Sequence, residues 1–162
     1  MKRSNFDNRL AHDAAIASAI EDCHVDYVFL AGYMAILGSV FVDQFAGKLI
    51  NIHPSLLPAF KGLDTHQRAI DAGVKTHGAS IHVVNGALDD GPLILQASLA
   101  VAETDTAEVL AGRVLQLEHQ IYPFVLLSLA TQNVTLLPDE VIWHATTLVA
   151  APADMQNVLA PC

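Results

Sequence analysis

Leu49-Ile50-Asn51-Ile52-His53-Pro54-Ser55-Leu56-Leu57-Pro58 is the stretch on which the fold of this chain turns. An apolar run carries polar side chains at alternate places and then meets two prolines and a serine, the pattern of a strand that gives way to a loop. Alternation puts Asn51 and His53 on the same side of that strand, so an amide and an imidazole converge on one small volume. Open α/β sheets present their chemistry at the carboxyl ends of strands. A strand from Lys48 to His53 therefore predicts both the class of the domain and the place of its site.

The flanking sequence extends this pattern in both directions. Upstream, Tyr27-Val28-Phe29-Leu30-Ala31 is a continuous apolar run closed by Gly32, as in a strand covered on both faces. Ser39 to Phe45 predicts a short helix that stops at Gly47. Residues 7–22 place Leu10, Ala14, Ile16, Ala17 and Ile20 among charges, an amphipathic helix with Asp7 as its N-cap. Downstream, residues 64–72 predict a helix closing at Gly73, Ala79 to Val84 a strand, and Leu93 to Val101 another after the Asn85-Gly86 turn. Thr104-Asp105-Thr106 supplies capping groups for a long helix over 106–130, in which Val109, Leu110, Val114, Leu117, Ile121, Val125 and Leu129 recur at helical spacing. A strand near Val134 to Leu136 ends the regular pattern. Residues 1–137 thus read as one domain, and residues 138–162 as a poorly defined C-terminal segment. Helices alternating with apolar strands predict an α/β domain with a mainly parallel, twisted sheet.

Composition narrows the partners. With 52% hydrophobic residues in 162, the chain has the material for a packed core and is not of disordered type. Its apolar stretches break well short of the roughly 18 residues that a membrane span takes, and the charged residues after Met1 do not resemble a secretory signal, so a cytoplasmic protein is expected. A net charge of −9 with only eight Lys and Arg argues against a nucleic-acid partner and leaves small molecules as the expected ligands. Cys23 and Cys162 lie outside any CxxC or zinc-ligand spacing and read as reduced thiols. Eight histidines form no HExxH or comparable cluster, so no metal is expected.

Six blocks then carry a resemblance: Ala31-Gly32-Tyr33-Met34-Ala35-Ile36-Leu37, Asn51 to Pro58, Gly62-Leu63-Asp64-Thr65-His66, His77-Gly78-Ala79-Ser80-Ile81-His82, Leu88-Asp89-Asp90-Gly91-Pro92-Leu93-Ile94-Leu95-Gln96 and Glu118-His119-Gln120-Ile121-Tyr122-Pro123. In this order, over about residues 6–137, the chain resembles the folate-dependent formyltransferases, and within them the branch that acts on glycinamide ribonucleotide. The resemblance implies a Rossmann-like formyltransferase sheet. It also implies transfer of a formyl group from 10-formyltetrahydrofolate to the amine of glycinamide ribonucleotide, a step of purine biosynthesis that needs no metal. Amine attack on a formyl carbonyl develops an oxyanion, which calls for donors aimed at that oxygen. The family pattern assigns this to Asn51 and His53, with Asp89 of the LDxGP loop holding the imidazole and helping to move protons. Asp90 falls where a small residue is usual. Folate contacts map to Met34, Ile36, Leu37, Val84, Asn85 and Leu88, although the first three are equally well read as core. Pro54 and Glu118 map to the substrate side, Glu118 near the ribose. His66 and His82 read as structural.

Two other functions fit the same blocks. Formyltetrahydrofolate deformylase is similar in this region and gives the formyl group to water. Lys61 and Gly73-Val74-Lys75 lean that way, while Pro54 and the Glu118 to Pro123 block favour the transferase. A non-catalytic folate-binding fragment is the third reading. It arises because the strand and Gly/Ser-rich phosphate loop that the family places ahead of its counterpart of Phe6-Asp7 are not among these 162 residues. No GxGxxG or GxxxxGK[ST] turn occurs in their place. An N-terminally truncated family fold is expected to leave residues 27–31 as a sheet edge through which a homodimer forms.

Overall fold

The computed structural model describes residues 1–33, 35, 37–144 and the backbone of 158 and 159. After a 3-10 turn at Arg3–Asn5, the elements are α1 (Arg9–Asp22), β1 (Val28–Leu30), α2 (Ser39–Gln44), β2 (Leu49–His53), α3 (Thr65–Asp71), β3 (Thr76–Val83), β4 (Leu93–Ala100), α4 (Ala107–Ala130), β5 (Val134–Leu136), β6 (Val141–Trp143) and β7 (Val158–Leu159). The N-cap of α1 is Asn8 rather than Asp7: the Asn8 side chain accepts from the Ala11 N–H at 2.9 Å. Thr106 caps α4. Past Pro138 the sequence pattern is weak, yet β6 forms a hairpin with β5, and Trp143 Nε1 donates to Ile94 O at 3.0 Å.

Five strands form one sheet in the order β1-β2-β3-β4-β7. The α/β class stands, but the expected mainly parallel arrangement holds only for β1 beside β2; β2–β3, β3–β4 and β4–β7 are antiparallel. The β3–β4 connection explains one of these. A crossover to a parallel neighbour takes a dozen or more residues, and the direct loop 84–92 between β3 and β4 is too short for one. The connection 54–75 between β2 and β3 is long enough for a crossover, so its length does not set the antiparallel direction found there.

Register divides the two faces of the sheet. Ile50 lies opposite Val83, and Ile52 opposite Ile81. With Leu95 they join Leu110, Val114, Ile121 and Val125 of α4 in the main core. Val109, although at helical spacing, lies on the outer side of α4, 50% exposed. On the other face Leu49 packs with Ala17 of α1, Phe41 and Val42 of α2, and Phe45 just after it. Beyond Leu49 that face turns polar, and the candidate site residues begin.

Candidate active site

Asn51 and His53 follow Leu49 on this second face, and the β2–β3 register sets His82 opposite Asn51 and Ser80 opposite His53. Gln96 of β4 lies beside Ser80. Five polar side chains thus share one face at the carboxyl end of β2, backed by an apolar sheet that excludes water from behind. Ser80 Oγ donates to Ser55 O at 2.6 Å and accepts from Leu57 N at 3.0 Å and from Gln96 Nε2 at 2.8 Å. Gln96 Nε2 also donates to Leu57 O at 2.9 Å, and Ser55 Oγ to Ala59 O at 2.6 Å. Ser55 and Ser80 are fully buried. A buried polar network with every member bonded fixes a loop as firmly as apolar packing does, and here it fixes the segment that leaves His53.

His53 is buried, and each of its ring nitrogens faces an oxygen. Nδ1 lies 3.4 Å from Asp89 Oδ2, and Nε2 lies 3.0 Å from Phe60 O, which accepts its proton. Asp89 takes a left-handed backbone conformation with φ of 47°, a region that Asp tolerates better than most residues. Its Oδ2 also accepts from Gly62 N at 2.9 Å, so the two loops after β2 and β3 meet at this carboxylate. Asp90 points outward and pairs with Lys61 across the same two loops. Gly91 allows the approach: a Cβ there would lie 1.7 Å from Val83 O.

His82, read from sequence as structural, belongs to the same group. Its Nε2 is 3.2 Å from Asn51 Nδ2 and 3.7 Å from Asp89 Oδ1, while its Nδ1 is 3.0 Å from Val83 O. Burial lowers its pKa, partly opposed by the Val83 carbonyl and Asp89 and reinforced by His53 and Lys61. His66 and His77 form a second layer behind the loop, His77 Nε2 to His66 Nδ1 at 3.2 Å. Burial, with His66 beside it, lowers His77 to about 4. Burial also lowers His66, with His53 adding to the effect. No sequence signal separated His82 from His66, because its partnership depends on cross-strand register.

The remaining expected residues are placed less closely. Pro54 is half-buried directly after His53. Glu118 is half-buried on α4, where burial raises its carboxyl pKa against the opposing effect of His119. Leu37 and Val84 pack together against the Leu49 cluster. Asn85 folds onto its own loop, its Oδ1 accepting from Ala87 N at 3.0 Å. Leu88, on the loop that carries Asp89, is 60% exposed. Met34 and Ile36 lie outside the described residues. Among the described residues no group of three or more side chains is placed to hold a metal ion. An amide beside His82, with a carboxylate facing both His53 and His82, is a set of groups able to stabilise a developing oxyanion and relay a proton.

The description "Formyl transferase" fits the family model that matches residues 1–126. Phosphoribosylglycinamide formyltransferase of Haemophilus influenzae is 47% identical over 124 residues, covering 76% of this chain and 58% of that protein. Its Escherichia coli counterpart is 46% identical over 123 residues, with the same shares covered. Among solved structures, the phosphoribosylglycinamide formyltransferase of Coxiella burnetii superposes with a TM-score of 0.81 at 42% identity, over 86% of this chain and 66% of that one. The chain thus spans somewhat under three fifths of the length of these two curated relatives.

Proposed function

Because this chain belongs to the formyl transferase family, we propose that it moves a formyl group from 10-formyltetrahydrofolate to the amine of glycinamide ribonucleotide, as a cytoplasmic enzyme of purine biosynthesis. The observation that carries this reading is the contact of Asn51, His53, His82 and Asp89 on one polar face at the end of β2. In the reaction the amine nitrogen bonds to the formyl carbon, the bond from that carbon to the folate nitrogen breaks, and one proton passes from the amine to the folate nitrogen. Asn51 donates to the oxyanion formed between these events. His53 gives up the Phe60 carbonyl to donate to the same oxygen, and Asp89 holds its other nitrogen. Leu37, Val84, Asn85 and Leu88, with Met34 and Ile36, take the folate; Pro54 and Glu118 face the nucleotide. Residues 1–137 form the catalytic unit.

An assay with 10-formyltetrahydrofolate, run with and without glycinamide ribonucleotide, tests the reading. Amine-dependent loss of formyl is the expected result. Loss to water at equal rate without the amine would make the chain a deformylase, and binding without turnover would make it a folate-binding fragment.

For assembly, β1 has β2 on one side and no described strand on the other, and its residues are half-buried only. An open strand edge pairs readily with another. A second copy of the chain therefore adds to β1 in a homodimer; a monomer in sedimentation equilibrium at micromolar concentration would rule this out.

A further inference from the structure

The polar face holds one titratable side chain to which the proposed chemistry gives no task. His82 Nδ1 lies 3.0 Å from the carbonyl of Val83, and a carbonyl only accepts, so Nδ1 carries the proton. In the neutral ring Nε2 is then an acceptor. The atom of Asn51 that faces it at 3.2 Å must be a donor, which assigns Nδ2 there on chemical grounds. One N–H of the Asn51 amide is thereby spent on His82. The planar group leaves the other N–H at a fixed direction, with no protein acceptor among the described residues.

We infer that His82 is a positioning residue: its neutral ring sets the Asn51 carboxamide with the free N–H toward the reacting carbonyl, and protonation of Nε2 reverses the amide and withdraws that donor. A protonated Nε2 donates instead of accepting, so Asn51 Oδ1 turns to accept from it, while Asp89 Oδ1, 3.7 Å away, supports the charge. Charged and titratable groups reach His82 from three elements: Asp89 from the loop after β3, His53 from β2 and Lys61 from the loop after β2. Asp89 favours the charged ring, whereas burial, His53 and Lys61 oppose it and keep it neutral around pH 7. The backbone supports the device. His82 sits at the register shift of the β3–β4 ladder, and the Val83 carbonyl that fixes its tautomer lies against Gly91 of the Asp89 loop.

The catalytic half of this inference rests on the formyl-transfer reading, so the test has two arms. In the first, the Asn51 side-chain amide is followed by ¹⁵N–¹H NMR, assigned by its loss in Asn51→Ser. Its two proton shifts move together as pH falls below the ordinary histidine range, and stay still in His82→Gln, whose carbonyl accepts without titrating. Amide shifts that ignore pH in the wild type, or titrate unchanged in His82→Gln, would overturn the positioning role. In the second arm, His82→Leu lowers kcat by about tenfold to hundredfold with KM for the folate within about threefold, the signature of a donor misdirected in the transition state. His82→Gln recovers kcat to within about fivefold and lacks the acid limb of the wild-type profile. Equal kcat in wild type and His82→Leu would overturn the catalytic half. A wild type that transfers no formyl group sinks the function reading alone, and the amide shifts then decide the positioning role by themselves.

Discussion

The two faces of β2 make different demands on nearly identical geometry. Ile50 and Ile52 meet Val83 and Ile81 across the ladder and bury against α4, where the requirement is volume. Asn51 and His53 meet His82 and Ser80 across the same ladder, where the requirement is which atom donates and which accepts. Substitutions on the first face should cost stability and spare chemistry; on the second, the reverse. Apolar contacts average over many weak neighbours, whereas a hydrogen-bonded site depends on one or two atoms.

The sharpest way to break this contrast is His53→Ala. It should reduce kcat for formyl transfer by about 10² to 10³, because the oxyanion donor proposed at His53 and its approach to Asp89 are both lost. A variant within fivefold of wild type would remove His53 from the chemistry. Ile81→Ala, on the opposite face, is expected to lower stability by about 3 kcal/mol in urea denaturation while kcat at 25 °C stays within about twofold. A large drop in kcat with intact folding would show that the faces are not separable. Asp89→Asn keeps an oxygen for Gly62 N but removes the charge facing His53, and should lower kcat by roughly tenfold to a hundredfold with little change in KM.

A smaller effect concerns pH. His77 is held near 4 in the folded protein against 6.5 in the unfolded chain, so the unfolded state binds more protons between these values. Stability from this group is complete well above pH 6.5 and declines as pH falls toward 4, by about 3 kcal/mol. The urea midpoint should therefore drop on acidification from pH 7 to 5, and drop less in His77→Gln. An equal slope in both proteins would assign the acid sensitivity elsewhere.

Much of this was legible in the chain because it is local. The period of two in Leu49 to His53 gives the strand and the shared side of Asn51 and His53, and Thr106 with the apolar spacing that follows gives α4 nearly to the residue. Asp89 is reached by the motif in which it stands. What escaped depends on pairing. Strand direction depends on which strands pair, which periodicity does not weigh, so the sheet reads as mainly parallel when three of its four described pairs are not. His82 joins the site through register, and β6 through a hairpin in a stretch with weak alternation.

Tyr122 ties two strands together at the back of the sheet. Its hydroxyl reaches both Leu30 O at 2.9 Å and Ile50 O at 3.0 Å, so a side chain of α4 spans the parallel pair β1–β2 one residue behind Asn51. Burial pushes its phenol pKa well above the ordinary value, against the opposing effect of the Leu30 carbonyl. Of the three tyrosines in the chain, Tyr33 is exposed and Tyr27 half-buried. An ultraviolet titration in alkali should therefore register phenolate absorbance from Tyr122 only when β1 and β2 part. The chain carries its own optical gauge of whether the strand that bears the site is still in place.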